Sequence, residues 1–376
     1  MAFRPKIMEW LLLLPSSPEG DSIVRRSLLT AALLLAAAPA ISWAQEEVGI
    51  QVEYDVVKTT KVAGNGGWEN MYADSTARRL YVPRTGAAAG ITVLDLDTLK
   101  TVGTIARVAA QAVVTDSKSN HGFTASKPVA MFDTQTLKPI KTIDVQGNPE
   151  SILFDSSNDR VYVFSKTAPG VTIINSADGS IVGTVDVGGK AAGGLADGQG
   201  RVLVAVEDKD EIAVIDTKTN TVTARWDLDG TGAGPVALAM DAKNRVLLVA
   251  CRNETLIYMN ADTGKFIYGL PIGAGVDSIA FNPATSELFT AEDSGSLTIA
   301  AVTNPTSFVM KGTVQIPEGS KSLVLDSKTG NILVASAKFA KAPKPASFYD
   351  IPDRGAIVAG SFVIETLAKG KDAGKK

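Results

Sequence analysis

Residues 148–189 read NPESILFDSSNDRVYVFSKTAPGVTIINSADGSIVGTVDVGG. Within this stretch ESILFD, RVYVFS, GVTIIN and SIVGTVDV are four short runs rich in β-branched residues, each bounded by turn formers, so the segment predicts four strands. Asp155 opens the first turn, where its carboxylate can accept a backbone N–H two residues on. Asp178-Gly179 marks the third hairpin, because glycine supplies positive φ without steric cost. No i, i+3, i+4 apolar pattern of comparable length interrupts the strands, so helices are not part of the unit.

The same grammar begins again at Gly66, Val108, Asn148, Lys190, Ala233, Val276 and Ser320. The first turns of these seven units read DSTARR, DSKSNH, DSSNDR, DGQGR, DAKNR, NPATSE and DSKTGN. A period in the low forties with four strands per unit is that of propeller blades, since one small sheet cannot bury its faces alone but can between two neighbours. The expectation is therefore an all-β, seven-bladed β-propeller of four-stranded antiparallel blades, with units near 66–107, 108–147, 148–189, 190–232, 233–275, 276–319 and 320–368. The last unit is broken after NILVASAKF by a Lys/Pro/Ala-rich insertion and lacks an outer strand, while YDVVKTTKV at 54–62 precedes the first unit as a spare strand. An N-terminal strand completing the C-terminal blade would close the ring and remove two sheet edges.

Residues 1–44 read as separate from this domain. Arg25-Arg26, the apolar run Leu28 to Ala38 and Ser42-Trp43-Ala44 follow the pattern of a cleavable secretory signal, with cleavage after Ala44 and a translation start at Val24 in place of Met1. General secretion is favoured over the twin-arginine route. Residues 45–376 then form one domain in the periplasm or outside the cell, with no transmembrane segment.

Removing residues 1–44 takes four of the 37 basic and three of the 40 acidic residues, leaving 33 against 37. That mild acidity, with no basic stripe, argues against nucleic acid as a partner. The single cysteine, Cys251, excludes an intrachain disulfide and reads as a small strand residue. The single histidine, His121, falls in a first turn, so histidine-based zinc sites and Ser-His-Asp catalysis have no material.

Stepping back five residues from each first-turn Asp, or from Asn282 in the sixth unit, gives Glu69, Gln111, Glu150, Ala192, Val236, Asp277 and Lys321. In a propeller these positions border the central channel. Three like charges in one mouth would repel and raise a carboxyl pKa unless a cation offsets them. Glu69, Glu150 and Asp277 are accordingly the candidate metal ligands, with calcium as the hard cation suited to such oxygens. Ala192 and Val236 offer a ligand nothing, and the same ring also reads as a wet channel. A second tier at the ends of the second strands contains Arg84, Glu207, Asp208, Arg252, Asn253, Glu292 and Asp293, of which Arg84 and Arg252 join Glu69, Gln111, Glu150, Asp277 and Lys321 as candidate ligand-binding residues.

The repeats resemble the YVTN-repeat, YncE-like seven-bladed propellers of bacterial secreted and periplasmic proteins, most closely over 66–84, 147–164, 206–222 and 275–289. Relatives of that kind carry a histidine where Gln111 stands, asparagines near Ser126 and Ala205 and a Pro-Glu pair where Ala191-Ala192 stand. The resemblance implies a binding or scaffolding propeller and brings no catalytic residues. The functional expectation is an exported, monomeric binding module for a small molecule, a cation or an envelope protein, with no required cofactor and no assigned catalysis. A metal-dependent lactonase or hydrolase is the first alternative. An envelope interaction module using the insertion, with Pro343, Pro345, Phe348, Tyr349 and Pro352, is the second.

Overall fold

The computed structural model describes residues 52–86, 89–340 and 355–370. Residues 1–44 and residues 341–354, which hold Pro343 to Pro352 of the insertion, lie outside the described residues.

The domain is built of seven four-stranded antiparallel sheets. The third blade shows the pattern: Pro149–Asp155, Arg160–Ser165, Gly170–Asn175 and Ile181–Asp186, from innermost to outermost. The expected turn chemistry is present. The Ser157 N–H donates to Asp155 Oδ1 at 2.9 Å, and Gly179 adopts φ of 67°. The turn residue two positions before an N–H accepts it in every blade, as at Thr76 to Asp74, Lys118 to Asp116, Lys243 to Asp241 and Ala284 to Asn282. These Asx turns explain why the aspartates recur in the sequence.

Each second strand alternates between two neighbouring blades, as period-two geometry requires. In the fourth blade Val202 and Val204 pack with Tyr162 and Phe164 of the third, while Leu203 and Ala205 pack with Leu247 and Val249 of the fifth. Seven apolar clusters of this kind fill the seven spaces between blades.

Ring closure uses the spare strand. The last blade has Ser322–Leu325, Ile332–Ser336 and Val363–Lys369, and Tyr54–Lys61 pairs antiparallel with the third of these, from Tyr54↔Lys369 to Lys61↔Val363. Arg78 of the first blade adds a latch, donating to Asp326 Oδ1 at 2.6 Å and Oδ2 at 2.8 Å on the last blade. Arg245 makes the corresponding contact with Asp197 at 3.2 Å between the fifth and fourth blades. Along the axis, where innermost strands do not pair, serines bridge. The Met71 N–H donates to Ser322 Oγ at 3.0 Å and the Leu323 N–H to Ser278 Oγ at 2.9 Å.

Every outermost strand carries one bulge, at Val57, Val102, Ile140, Val182, Thr223, Ile267 and Lys311. A bulge breaks the run of free backbone groups and twists the edge, which discourages pairing with another chain. Four of these residues, Val57, Val102, Ile140 and Val182, are exposed apolar side chains.

Candidate functional site

The innermost strand of a blade runs away from one face and the second strand returns to it. Starts of first strands, ends of second strands and starts of third strands therefore share that face. In the third to sixth blades the residue expected at the axis is itself a bulge: the first ladder skips Glu150, Ala192, Val236 and Asp277. A bulged residue is re-aimed relative to its neighbours. In the first, second and last blades the corresponding residues stand just ahead of the strands and are held by backbone bonds: Glu69 N–H to Pro83 O at 3.1 Å, Gln111 N–H to Ala125 O at 2.8 Å and Lys321 N–H to Gly319 O at 3.0 Å.

All seven axial positions line one cavity of about 260 Å³ at the channel mouth. The sequence period thus brings together Glu69, Gln111, Glu150, Ala192, Val236, Asp277 and Lys321. Lys166, Glu207 and Arg252 join them from loops after second strands. Below the mouth the channel continues as a cavity of about 420 Å³ walled by innermost strands.

The charges at the mouth form an alternating arc across four consecutive blades. Glu207 meets Arg252 Nε at 2.7 Å, Arg252 meets Asp277 at 3.3 Å, and Asp277 meets Lys321 at 3.2 Å. Glu69, on the next blade, continues the sequence of signs, with Lys321 as its attractive neighbour. Its carboxylate makes no ion pair or hydrogen bond among the described residues. Burial pushes its pKa above the ordinary glutamate value, Lys321 pulls it back, and Glu150 and Asp277 push it up again. The expected rise is present, with desolvation as its largest cause ahead of like-charge repulsion. Across the mouth, Glu150 is held by Lys166 at 2.7 Å.

Among the described residues no group of three His, Cys, Asp or Glu side chains comes close enough to hold a metal ion. Glu69, Glu150 and Asp277 stand on three different blades, with Lys166 at Glu150 and Arg252 and Lys321 at Asp277. Arg84 does not face the mouth. It is 1% exposed, its guanidinium carbon lies 4.0 Å from the centre of the Phe362 ring, and it donates to Gly67 O at 3.0 Å and to the carbonyls of Ala63, Gly64 and Gly66 at 3.4 Å. It pins the segment that leads from the closing strand into the first blade.

The rest of the second tier divides. Asp208 accepts the Lys190 N–H, Asn253 accepts the Ala233 N–H, and Glu292 is buried between Thr290 and Ser296 hydroxyls. Glu207 and Arg252 belong to the mouth, and Asp293 lines an adjoining groove. That groove, about 630 Å³, shares Glu69, Arg252, Asp277 and Lys321 with the mouth and adds Trp68, Phe339 and Ile357. Its apolar wall was not expected from the repeats, because Phe339 and Ile357 belong to the one segment that departs from them. Cys251 is buried as expected, and desolvation pushes its thiol up to about 12.

Residues 169–356 match the family described as outer membrane protein assembly factor BamB, which is half of the chain. The chain belongs to that family. A search of curated proteins gives no significant match. Among solved structures the BamB-family chain is similar to the crystal structure of RRP9 WD40 repeats, with a TM-score of 0.66 at 10% identity, covering 82% of this chain and 97% of that one. As 1772 solved chains match significantly, this likeness identifies the propeller and not its work.

Proposed function

We propose that this BamB-family propeller is a binding module of the cell envelope that takes a ligand or a partner's side chains at the channel mouth. The observation that carries this reading is the convergence of seven repeat-equivalent positions on one cavity lined by four carboxylates and three cations, Glu69, Glu150, Glu207 and Asp277 against Lys166, Arg252 and Lys321. Ionic groups so arranged confer orientation and specificity more than raw affinity. The family's description as an assembly factor supports a role by binding rather than turnover, and an envelope protein as one class of partner. It also supports a periplasmic or secreted location, as does the leader-like sequence of residues 1–44. Within the propellers, the finer kinship with YVTN-repeat, YncE-like chains rests on the four stretches quoted above. A monomer is the simplest state, each outer strand being interrupted.

The test is capture from an envelope extract together with a thermal-shift screen of the extract's small-molecule pool. Wild-type protein is expected to retain a partner or be stabilised by a compound, and the double variant Glu69→Ala/Glu150→Ala to lose that response. A response indifferent to both substitutions would place binding elsewhere and overturn the reading.

A further inference from the structure

The groove beside the mouth has two unlike walls. Trp68, Phe339 and Ile357 form an apolar one, with the Trp68 ring 6.5 Å from Phe339 and 5.1 Å from Phe362 between centroids. The other is ionic, and within it Arg252 and Lys321 are already engaged by Glu207 and Asp277. The Glu69 carboxylate is the member left with neither an ion pair nor a hydrogen bond among the described residues. Among the described residues the mouth thus holds four carboxylates, Glu69, Glu150, Glu207 and Asp277, against three cations, Lys166, Arg252 and Lys321. A second polar group is also unmet. Trp68 is 6% exposed and its indole Nε1–H has no hydrogen-bond partner among the described residues. A buried donor without an acceptor carries a desolvation cost. At about 630 Å³ the space suits a small molecule or one terminal residue of a chain.

We propose that the groove binds a protonated primary amine carried on an apolar or aromatic body, its ammonium on Glu69 and its apolar group against Trp68, Phe339 and Ile357. Resting on the mouth as a binding site, this assigns the ligand class. A free amine and the N-terminal residue of a peptide share this chemistry. The peptide terminus alone also brings a neighbouring carbonyl.

The protein as encoded, labelled with 5-fluorotryptophan, has four tryptophans to report, with the Trp68 resonance assigned through Trp68→Phe. The probes are 2-phenylethylamine, phenylalaninamide and N-acetylphenylalaninamide. Both amines are expected to shift the Trp68 resonance saturably, and loss of the charge-assisted contact in Glu69→Gln or in the acetylated probe is expected to weaken binding about tenfold or more. Glu69→Asp, which keeps the charge, retains binding. Tighter binding of phenylalaninamide than of phenylethylamine supports a peptide terminus; equal binding supports a free amine. Equal binding of the acetylated probe, or a Trp68 resonance unmoved by millimolar amine, overturns the proposal. If a compound from the thermal screen still stabilises wild type and not Glu69→Ala/Glu150→Ala, the mouth reading survives that failure; if neither screen nor amines respond, both fall.

Discussion

Arg78 and Asp326 lie 248 residues apart and meet through two hydrogen bonds, 2.6 and 2.8 Å, across the junction where the propeller's first and last blades join. The Arg78 side chain is 15% exposed and that of Asp326 4%, so removing Arg78 takes the counter-charge from a largely buried carboxylate. Arg78→Ala is expected to destabilise the domain by about 3 kcal/mol in chemical denaturation. Hydrogen exchange should quicken first in strand Tyr54–Lys61. Arg245→Ala, which removes the corresponding contact between two interior blades, should cost stability without that local effect.

Acid should act through the same pair. Burial raises the Asp326 pKa, but hydrogen bonds from Arg78, Thr329 and the Lys328 N–H outweigh it and leave the carboxyl at about 2. A depressed carboxyl contributes stability that is complete above its unfolded pKa and is lost as pH falls toward the folded one. Stability is therefore expected to drop between the ordinary aspartate value and about 2, and Asp326→Asn should remove that part of the acid dependence in denaturation curves.

Glu69 has the opposite sign. Its folded pKa is raised, so between the ordinary glutamate value and that raised value the native state binds more protons than the unfolded one, and stability falls as pH rises through the window. Glu69→Gln should flatten this fall in urea denaturation as pH rises above the ordinary glutamate value.

Arg84→Met should separate structure from binding. It removes the donors that hold the Ala63, Gly64, Gly66 and Gly67 carbonyls, so a lower melting temperature is expected. Below that temperature, affinity for any mouth ligand should match wild type by calorimetry.

Cys251 should resist alkylation in the native state, because its thiol is buried and desolvation pushes it up to about 12. Mass spectrometry after iodoacetamide treatment is expected to find no adduct on native protein and one adduct on protein unfolded in urea.

The repeat grammar made the ring of blades and its closing strand legible before any coordinates, because Asx turns and alternating β-branched runs are local chemistry repeated in register. The same period located all seven mouth positions. What it concealed was side-chain direction. Arg84 and Arg252 occupy neighbouring positions at the ends of their second strands, yet Arg84 ends a strand facing Phe362 and Arg252 begins a loop facing Asp277. One residue of offset turns a side chain from core to solvent, and charge alone does not reveal it. Lys166 was missed because a lysine after a strand is commonplace until the fold sets it beside Glu150.

The strand Tyr54–Lys61 precedes the other described strands and, among the described residues, pairs only with Val363–Lys369, the last of them. It is therefore made first and seated last. Until then six blades can stack while the seventh stays incomplete, and the chain waits with a free edge at each end. Long-range pairing of this kind slows folding and exposes intermediates to association. The vulnerable moment in this protein's life is the interval between the emergence of its first strand and its last.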